Sequence, residues 1–326
     1  MWLPLVAIIV GLVLLAWSAD RFIDGAAATA FHLGMPPLLV GLLIIGFGTS
    51  APEMVVSALA AIQGSPGLAL GNAYGSNIAN IGLILGVVAL LSPLAVPRQL
   101  LRLELPFLGA VTLLSGALLI DGTISRIDAA LLLFLLLSVI ILSILRARQR
   151  AVNQATTPDE NQVAVQKLSL RQGLFWTVAG LVVLIASSRL LVWGAVSVAE
   201  AMGVSDLIIG LTVVAIGTSL PELASSISAV RKQEHDIVLG NVVGSNLYNT
   251  LAVVGLAGII SPIDSVSEAL YRDWPVMAVL TLAMALFCLG RGGPGRVSRP
   301  EATLLLVAYL GYNAYLIGSA VIGQTV

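Results

Sequence analysis

The strongest constraint on the fold is a pair of polar motifs that occurs twice inside apolar sequence. GFGTSAPE at Gly46–Glu53 returns as AIGTSLPE at Ala215–Glu222, and GNAYGSNIAN at Gly71–Asn80 returns as GNVVGSNLYN at Gly240–Asn249. Both matches share one offset, 169 residues, with no gap, and 19 of 53 positions are identical between 41–93 and 210–262. The surrounding chain is 58% hydrophobic and 10% charged, with a mean hydropathy of +1.01. Apolar runs of bilayer-spanning length recur along its whole length, which implies a polytopic helical membrane protein. An ionisable side chain at membrane depth costs on the order of 2.5–3.5 kcal/mol on insertion scales. Two glutamates kept there in matched contexts, Glu53 and Glu222, therefore point to a cation-binding site.

Ten spans are expected, over 2–31, 36–62, 68–91, 100–120, 126–146, 170–200, 206–230, 237–260, 273–290 and 300–322. The first and sixth are long for a bilayer of about 30 Å, so tilt is expected. The polar stretch between Arg146 and Lys167 separates two halves: a five-helix repeat over 1–147, a cytoplasmic linker over 148–169, and a second five-helix repeat over 170–326. Five is odd, so the second half enters the membrane upside down. The expected fold is an all-α membrane protein of ten transmembrane helices, arranged as two inverted five-helix repeats. Secondary transporters commonly use this plan and bind substrate at the midplane between the halves. Basic residues give the orientation. With Arg146, Arg148, Arg150, Lys167 and Arg171 in the cytoplasm, Arg98, Arg102, Arg231, Lys232, Arg291, Arg296 and Arg299 also fall inside. Only Arg126 and Arg272 remain in outer loops, and both termini lie outside. The N-terminus lacks a basic leader and reads as a first spanning helix.

Ser50–Glu53 and Ser219–Glu222 each fit a helix capping box, with Pro52 or Pro221 in the first turn. Such a break at mid-membrane frees carbonyls and hydroxyls to hold an ion. Asn72, Ser76 and Asn80 lie four apart on one helical face, as do Asn241, Ser245 and Asn249. Ser76, Asn80, Ser245 and Asn249 are candidate ligands. For Asn72, Asn77, Asn241 and Asn246, interhelical hydrogen bonding is at least as good a role. Gly71 and Gly75, and Gly240 and Gly244, fit close helix packing.

The donors are carboxylates, amides, hydroxyls and carbonyls, which suit a hard cation such as calcium with its six to eight oxygen ligands. No histidine and cysteine cluster favours zinc or copper. His32 and His235 are expected in solvated loops. Asp20, Arg21, Asp24 and Arg189 are expected to be interfacial or paired. The single Cys288 argues against redox chemistry, the net charge of −1 offers nothing to nucleic acid, and no phosphate-binding loop serves ATP. No nucleophile and base pair suggests an enzyme, and no cofactor is implied. The partners are transported ions and the lipid bilayer.

These motifs resemble the two alpha-repeats of the calcium/cation antiporter family, which includes the sodium/calcium exchangers, and a chain without a large regulatory loop resembles its short prokaryotic members. The resemblance implies calcium/sodium antiport by alternating access, with spans one and six sliding across an eight-helix core. It implies Glu53 and Glu222 as central calcium ligands, joined by Thr49, Ser50, Ser76 and Asn80 from the first half and Thr218, Ser219, Ser245 and Asn249 from the second. Carbonyls near Gly46 and Ala215 would face flanking sodium sites. Some relatives carry aspartate at the position of Asn249; asparagine in both halves leaves two carboxylates in the site. Two ionised glutamates neutralise one calcium, whereas three sodium ions would leave +1 and two protons would give electroneutral exchange. A proton/calcium antiporter therefore stands beside the sodium reading at this point, with a cation channel as a third alternative.

Overall fold

The computed structural model describes residues 2–154, 168–202, 215–264, 266–289 and 295–323. The helices are α1 (Trp2–His32), α2 (Pro37–Thr49), α3 (Ala51–Ile62), α4 (Pro66–Leu91), α5 (Leu100–Leu118) and α6 (Arg126–Gln154). After the linker come α7 (Leu170–Ala201), α8 (Ala215–Thr218), α9 (Leu220–Arg231), α10 (His235–Ile260), α11 (Ala269–Leu289) and α12 (Arg299–Gly323). Among the described residues, eight helices are long and apolar enough to span a bilayer, and α2 with α3, bent by 42°, makes a ninth. The seventh expected span, 206–230, is described only from Ala215 onward; its first part lies outside the described residues, as do 155–167 of the expected linker. Helix α6 runs past the expected end at 146 to Gln154.

The chain is mostly helical but not wholly so. Four two-residue strands pair antiparallel, β1 (Leu94–Ala95) with β4 (Arg296–Val297) and β2 (Thr123–Ile124) with β3 (Ile263–Asp264). Strand β1 precedes α5 and β2 follows it, so the two ladders sit at opposite ends of that helix. Runs this short carry no alternation for a sequence pattern to reveal.

Helices α1 and α7 pack along their length as an antiparallel pair, and glycines set the approach. A Cβ on Gly11 would come within 2.9 Å of Leu191, and one on Gly180 within 2.8 Å of Phe22. A Cβ on Gly25 would meet Thr177 N at 2.4 Å, and one on Gly194 would meet Pro4 O at 2.7 Å. Residues 11 and 180, and 25 and 194, stand at the repeat offset, so each contact has its reciprocal. Lipid gives little hydrophobic drive between helices, and small residues let dispersion contacts supply it.

The motif glycines pack across the halves. A Cβ on Gly41 would strike Ile237 O at 2.3 Å, and one on Gly240 would strike Leu38 O at 2.3 Å. A Cβ on Gly244 would meet Leu42 O at 2.6 Å. The close packing expected of Gly240 and Gly244 is thus found, with α2 of the first half as partner; that expected of Gly71 and Gly75 is not, since a Cβ on either would meet nothing within 4 Å among the described residues.

Paired π-helical stretches mark the same two places in each half. Asn80–Leu85 matches Asn249–Val253, and Leu100–Glu104 matches Ala269–Asp273. The second pair has a plain cause, because Pro106 and Pro275 follow it and cannot donate a backbone hydrogen bond.

Candidate functional site

Each glutamate is placed by a break. Pro52 has no N–H, so the Gly48 carbonyl loses its usual partner four residues on; Pro221 does the same to Gly217. In the second half the freed Gly217 carbonyl accepts the Ser188 hydroxyl at 3.0 Å. In the first half the position matching Ser188 is Ala19, which has no hydroxyl. The chain turns at Ser50 and Ser219, and Glu53 and Glu222 fall in the first turns of α3 and α9. Both are buried, Glu53 at 0% and Glu222 at 2% exposure.

The capping boxes expected at these turns do not form. Neither Ser50 nor Ser219 makes a side-chain cap. Ser50 Oγ lies instead 3.4 Å from Glu222 Oε1, donating across the two halves. A buried acceptor of opposite origin outcompetes the local one, and spacing within one segment could not announce it.

Around the glutamates the two asparagine stripes meet. Helices α4 and α10 run antiparallel here: Asn80 Nδ2 donates to Asn246 Oδ1 at 3.2 Å, and Asn77 Nδ2 to Thr250 Oγ1 at 2.8 Å. Asn72 Nδ2 donates to Ser57 Oγ at 3.1 Å, and its counterpart Asn241 Nδ2 to Ser226 Oγ at 2.9 Å. These two bonds tie each stripe to its own glutamate helix. The Thr49 hydroxyl donates to the Ile45 carbonyl at 2.9 Å and lies 3.4 Å from Asn241 Oδ1. Ser245 Oγ lies 3.5 Å from the Gly46 carbonyl. That carbonyl also accepts the Ser50 amide at 3.1 Å, so the break does not vacate it.

Several buried polar atoms are left without a hydrogen-bond partner among the described residues. They are both oxygens of Glu53, Glu222 Oε2, Ser219 Oγ, the side-chain oxygens of Asn77, Asn80 and Asn249, and the amide nitrogens of Asn246 and Asn249, with Tyr74 OH and His235 Nε2 besides. Buried polar groups are seldom left unpaired, and leaving one so costs about 1–3 kcal/mol. Six of these atoms are oxygens of Glu53, Glu222, Ser219, Asn80 and Asn249, drawn from both halves, and Glu53 is near enough for its charge to act on Glu222. The set is hard and oxygen-rich, as an alkali or alkaline-earth cation requires. Of the other expected site residues, Ser76 is buried, Thr218 half-buried, and Ala215 opens α8.

Some contributors were not among the expected site residues. Ser188 and Thr250 lie outside the repeated motifs and are found only through their partners, whereas Ser57 and Ser226 are identical at the repeat offset, a signal the motif reading passed over. His235, expected in a solvated loop, opens α10, and its Nδ1 accepts the Ala95 amide at 3.3 Å. His32 ends α1 and bonds the Leu168 carbonyl at 3.1 Å. Asp24 is paired, with Lys232 at 2.6 Å.

The family model described as "Sodium/calcium exchanger protein" matches residues 3–145 and 172–318. The chain belongs to the sodium/calcium exchanger family. Among its exchanger-family relatives, the "Putative antiporter CaxA" of Alkalimonas amylolytica is 44% identical, over 96% of this chain and 98% of that one. The "Sodium/calcium exchanger MaX1" of Methanosarcina acetivorans is 30% identical, over 95% and 97%. Among solved structures, the sodium-calcium exchanger NCX_Mj superposes with a TM-score of 0.80 at 30% identity, covering 96% of this chain and 98% of that one. Exchangers of this family are transporters, and the chain is a multi-pass membrane cation antiporter of that kind, of the short prokaryotic type.

Proposed function

We propose that the protein exchanges calcium for sodium by alternating access at a midplane site built from both repeats. The observation that carries this reading is the set of unpartnered buried oxygens on Glu53, Glu222, Ser219, Asn80 and Asn249, drawn from both halves. Two carboxylates match the charge of one calcium. Thr49, Ser50, Thr218 and Ser219 add neutral hydroxyls beside each carboxylate, and Ser76 and Ser245 flank the asparagines. Neutral oxygens of that kind suit a monovalent cation next to the divalent one. With three sodium ions against two negative charges the exchange is electrogenic, worth about 2.3 kcal/mol per 100 mV for each charge moved.

Three features support the inverted arrangement. Repeat-related helices α1 and α7 run antiparallel, and so do α4 and α10. Strands β1 and β3 stand at the repeat offset, yet they belong to ladders at opposite ends of α5. The basic residues then put both termini outside.

Calcium-45 uptake into proteoliposomes at fixed pH tests the proposal. An outward sodium gradient is expected to drive uptake, and an inside-negative or inside-positive potential to alter its rate. Uptake driven as well by a proton gradient without sodium would replace sodium with protons as the coupling ion.

A further inference from the structure

Among the described residues, the α1/α7 pair makes polar ties to the broken helix of the second half. One is the Ser188–Gly217 bond already described. The others cluster toward the far end of α9. Ser228 Oγ donates to Asp20 Oδ1, and Lys232 Nζ pairs with Asp24 Oδ1 at 2.6 Å and donates to the Asp20 carbonyl at 2.7 Å. By the basic residues of the loops, this end faces the cytoplasm.

The repeat offset shows what the opposite end of the molecule could do. Asp20, Asp24, Ser228 and Lys232 correspond to Arg189, Trp193, Leu59 and Gln63. Arg189 is exposed, and neither Leu59 nor Gln63 is an acid that could pair with it. The offset is sound in these helices, since the reciprocal glycine contacts of α1 and α7 obey it. In a transporter whose halves trade conformations, a contact made by α1 with α9 in one access state is made by α7 with α3 in the other. The charged tie has no counterpart there.

We infer that the Lys232–Asp24 ion pair and the Ser228–Asp20 hydrogen bond form a one-sided latch, which stabilises this access state over the opposite one and so sets the resting bias of the transport cycle. The inference rests on the alternating-access reading above. A contact shifts a conformational equilibrium only by the difference it makes between the two states, and here the whole contact is that difference. Lys232 and Asp24 side chains are 28% and 43% exposed, so the bias is modest.

Two cysteine reporters test it, each in full-length protein in proteoliposomes with an impermeant maleimide. Ala229→Cys sits on α9 at a position that is 0% exposed here, and Ala60→Cys sits at the matching, half-buried position on α3. Asp24→Asn and Lys232→Gln are each expected to raise labelling at 229 about two- to fivefold, the scale of a partly exposed pair, and to lower labelling at 60. The charge swap Asp24→Lys with Lys232→Asp is expected to restore both rates. Ser228→Ala, a milder change, is expected to move them in the same direction by less. Unchanged rates in all single variants, or singles that act while the swap fails to restore, would overturn the latch. If the reporters respond to calcium and sodium but not to these variants, the latch alone falls. If the reporters ignore the ions in the unmutated background, alternating access falls and the latch with it.

Discussion

The two glutamate helices, α3 and α9, have the same length and the same Pro-Glu start, yet they live in different surroundings. On α9, Ser225 is 0% and Ser228 3% exposed, with Ser225 against Asn241 and Ser228 against Asp20 of α1. Their counterparts on α3, Val56 and Leu59, are 44% and 51% exposed. Duplication gives both helices the break and the carboxylate, while the position of the α1/α7 pair decides which one is covered. The side chains have diverged to match, with Ser228 bonded to Asp20 of α1 and aliphatic Leu59 at the matching place on α3. A symmetric sequence pattern thus supports an asymmetric packing, which the proposed alternating access requires.

The sharpest way to break this comparison is sidedness, where the expected effect is all-or-none. Ser65 and Gln233 occupy nearly equivalent turns after α3 and α9, and both are exposed, as is Asp264. Cysteines at Ser65 and Asp264 are expected to react with an impermeant reagent only from outside, and one at Gln233 only from the cytoplasm. Labelling of Ser65 and Gln233 from one side would make the repeats parallel.

The next effect is on the carboxylates, where the two helices should behave alike. Glu53→Gln and Glu222→Gln each remove one of two charges facing a divalent cation. At an effective dielectric of about 20 that loss amounts to several kcal/mol, so calcium exchange is expected to fall on the order of 100-fold or more in either variant, with insertion intact. Near-normal calcium-45 exchange by one of them would leave a single central ligand and end the equivalence.

The hydroxyls should separate the halves by a smaller margin. Ser50 already reaches Glu222, whereas Ser219 Oγ has no partner among the described residues. Thr49→Val, Ser50→Ala, Thr218→Val and Ser219→Ala are each expected to raise the sodium concentration for half-maximal exchange several-fold, a shift of about 1 kcal/mol, and to leave calcium binding less changed. Ser50→Ala should also weaken calcium binding, since it strips a donor from Glu222. Indifference of sodium dependence to all four would favour proton coupling.

Much of this was legible in the residues. Pro52 and Pro221 announce the breaks, because a missing N–H acts on the backbone wherever it occurs. The asparagine stripes follow from a spacing of four, and Gly240 and Gly244 from the small-residue pattern. What a one-dimensional pattern hides is the partner. The Ser50–Glu53 spacing suits a local cap, but the hydroxyl finds Glu222 in the other half. Gly11 and Gly25, like Gly180 and Gly194, stand fourteen residues apart, so the pairing of α1 with α7 has no close-spaced glycine signature. The Lys232–Asp24 pair joins residues 208 apart, and only the fold brings them together.

The smallest effect on exchange concerns the struts that hold each glutamate helix to its asparagine stripe. Asn72 makes one such bond, to Ser57, and is half-buried. Asn241 is 1% exposed; besides Ser226 it lies 3.4 Å from both Ser225 Oγ and the Glu222 carbonyl, and its Oδ1 faces Thr49. Replacing a buried residue in a network leaves its partners unsatisfied, at about 1–3 kcal/mol, whereas losing one part-exposed hydrogen bond costs about 0.5–1.5 kcal/mol. Asn241→Ala is therefore expected to lower the melting temperature in detergent more than Asn72→Ala does, and both to keep measurable calcium exchange. Equal destabilisation would mean that burial does not distinguish the two struts. Loss of exchange in Asn72→Ala with an unchanged melting temperature would make Asn72 an ion ligand and move the boundary of the site one turn along α4.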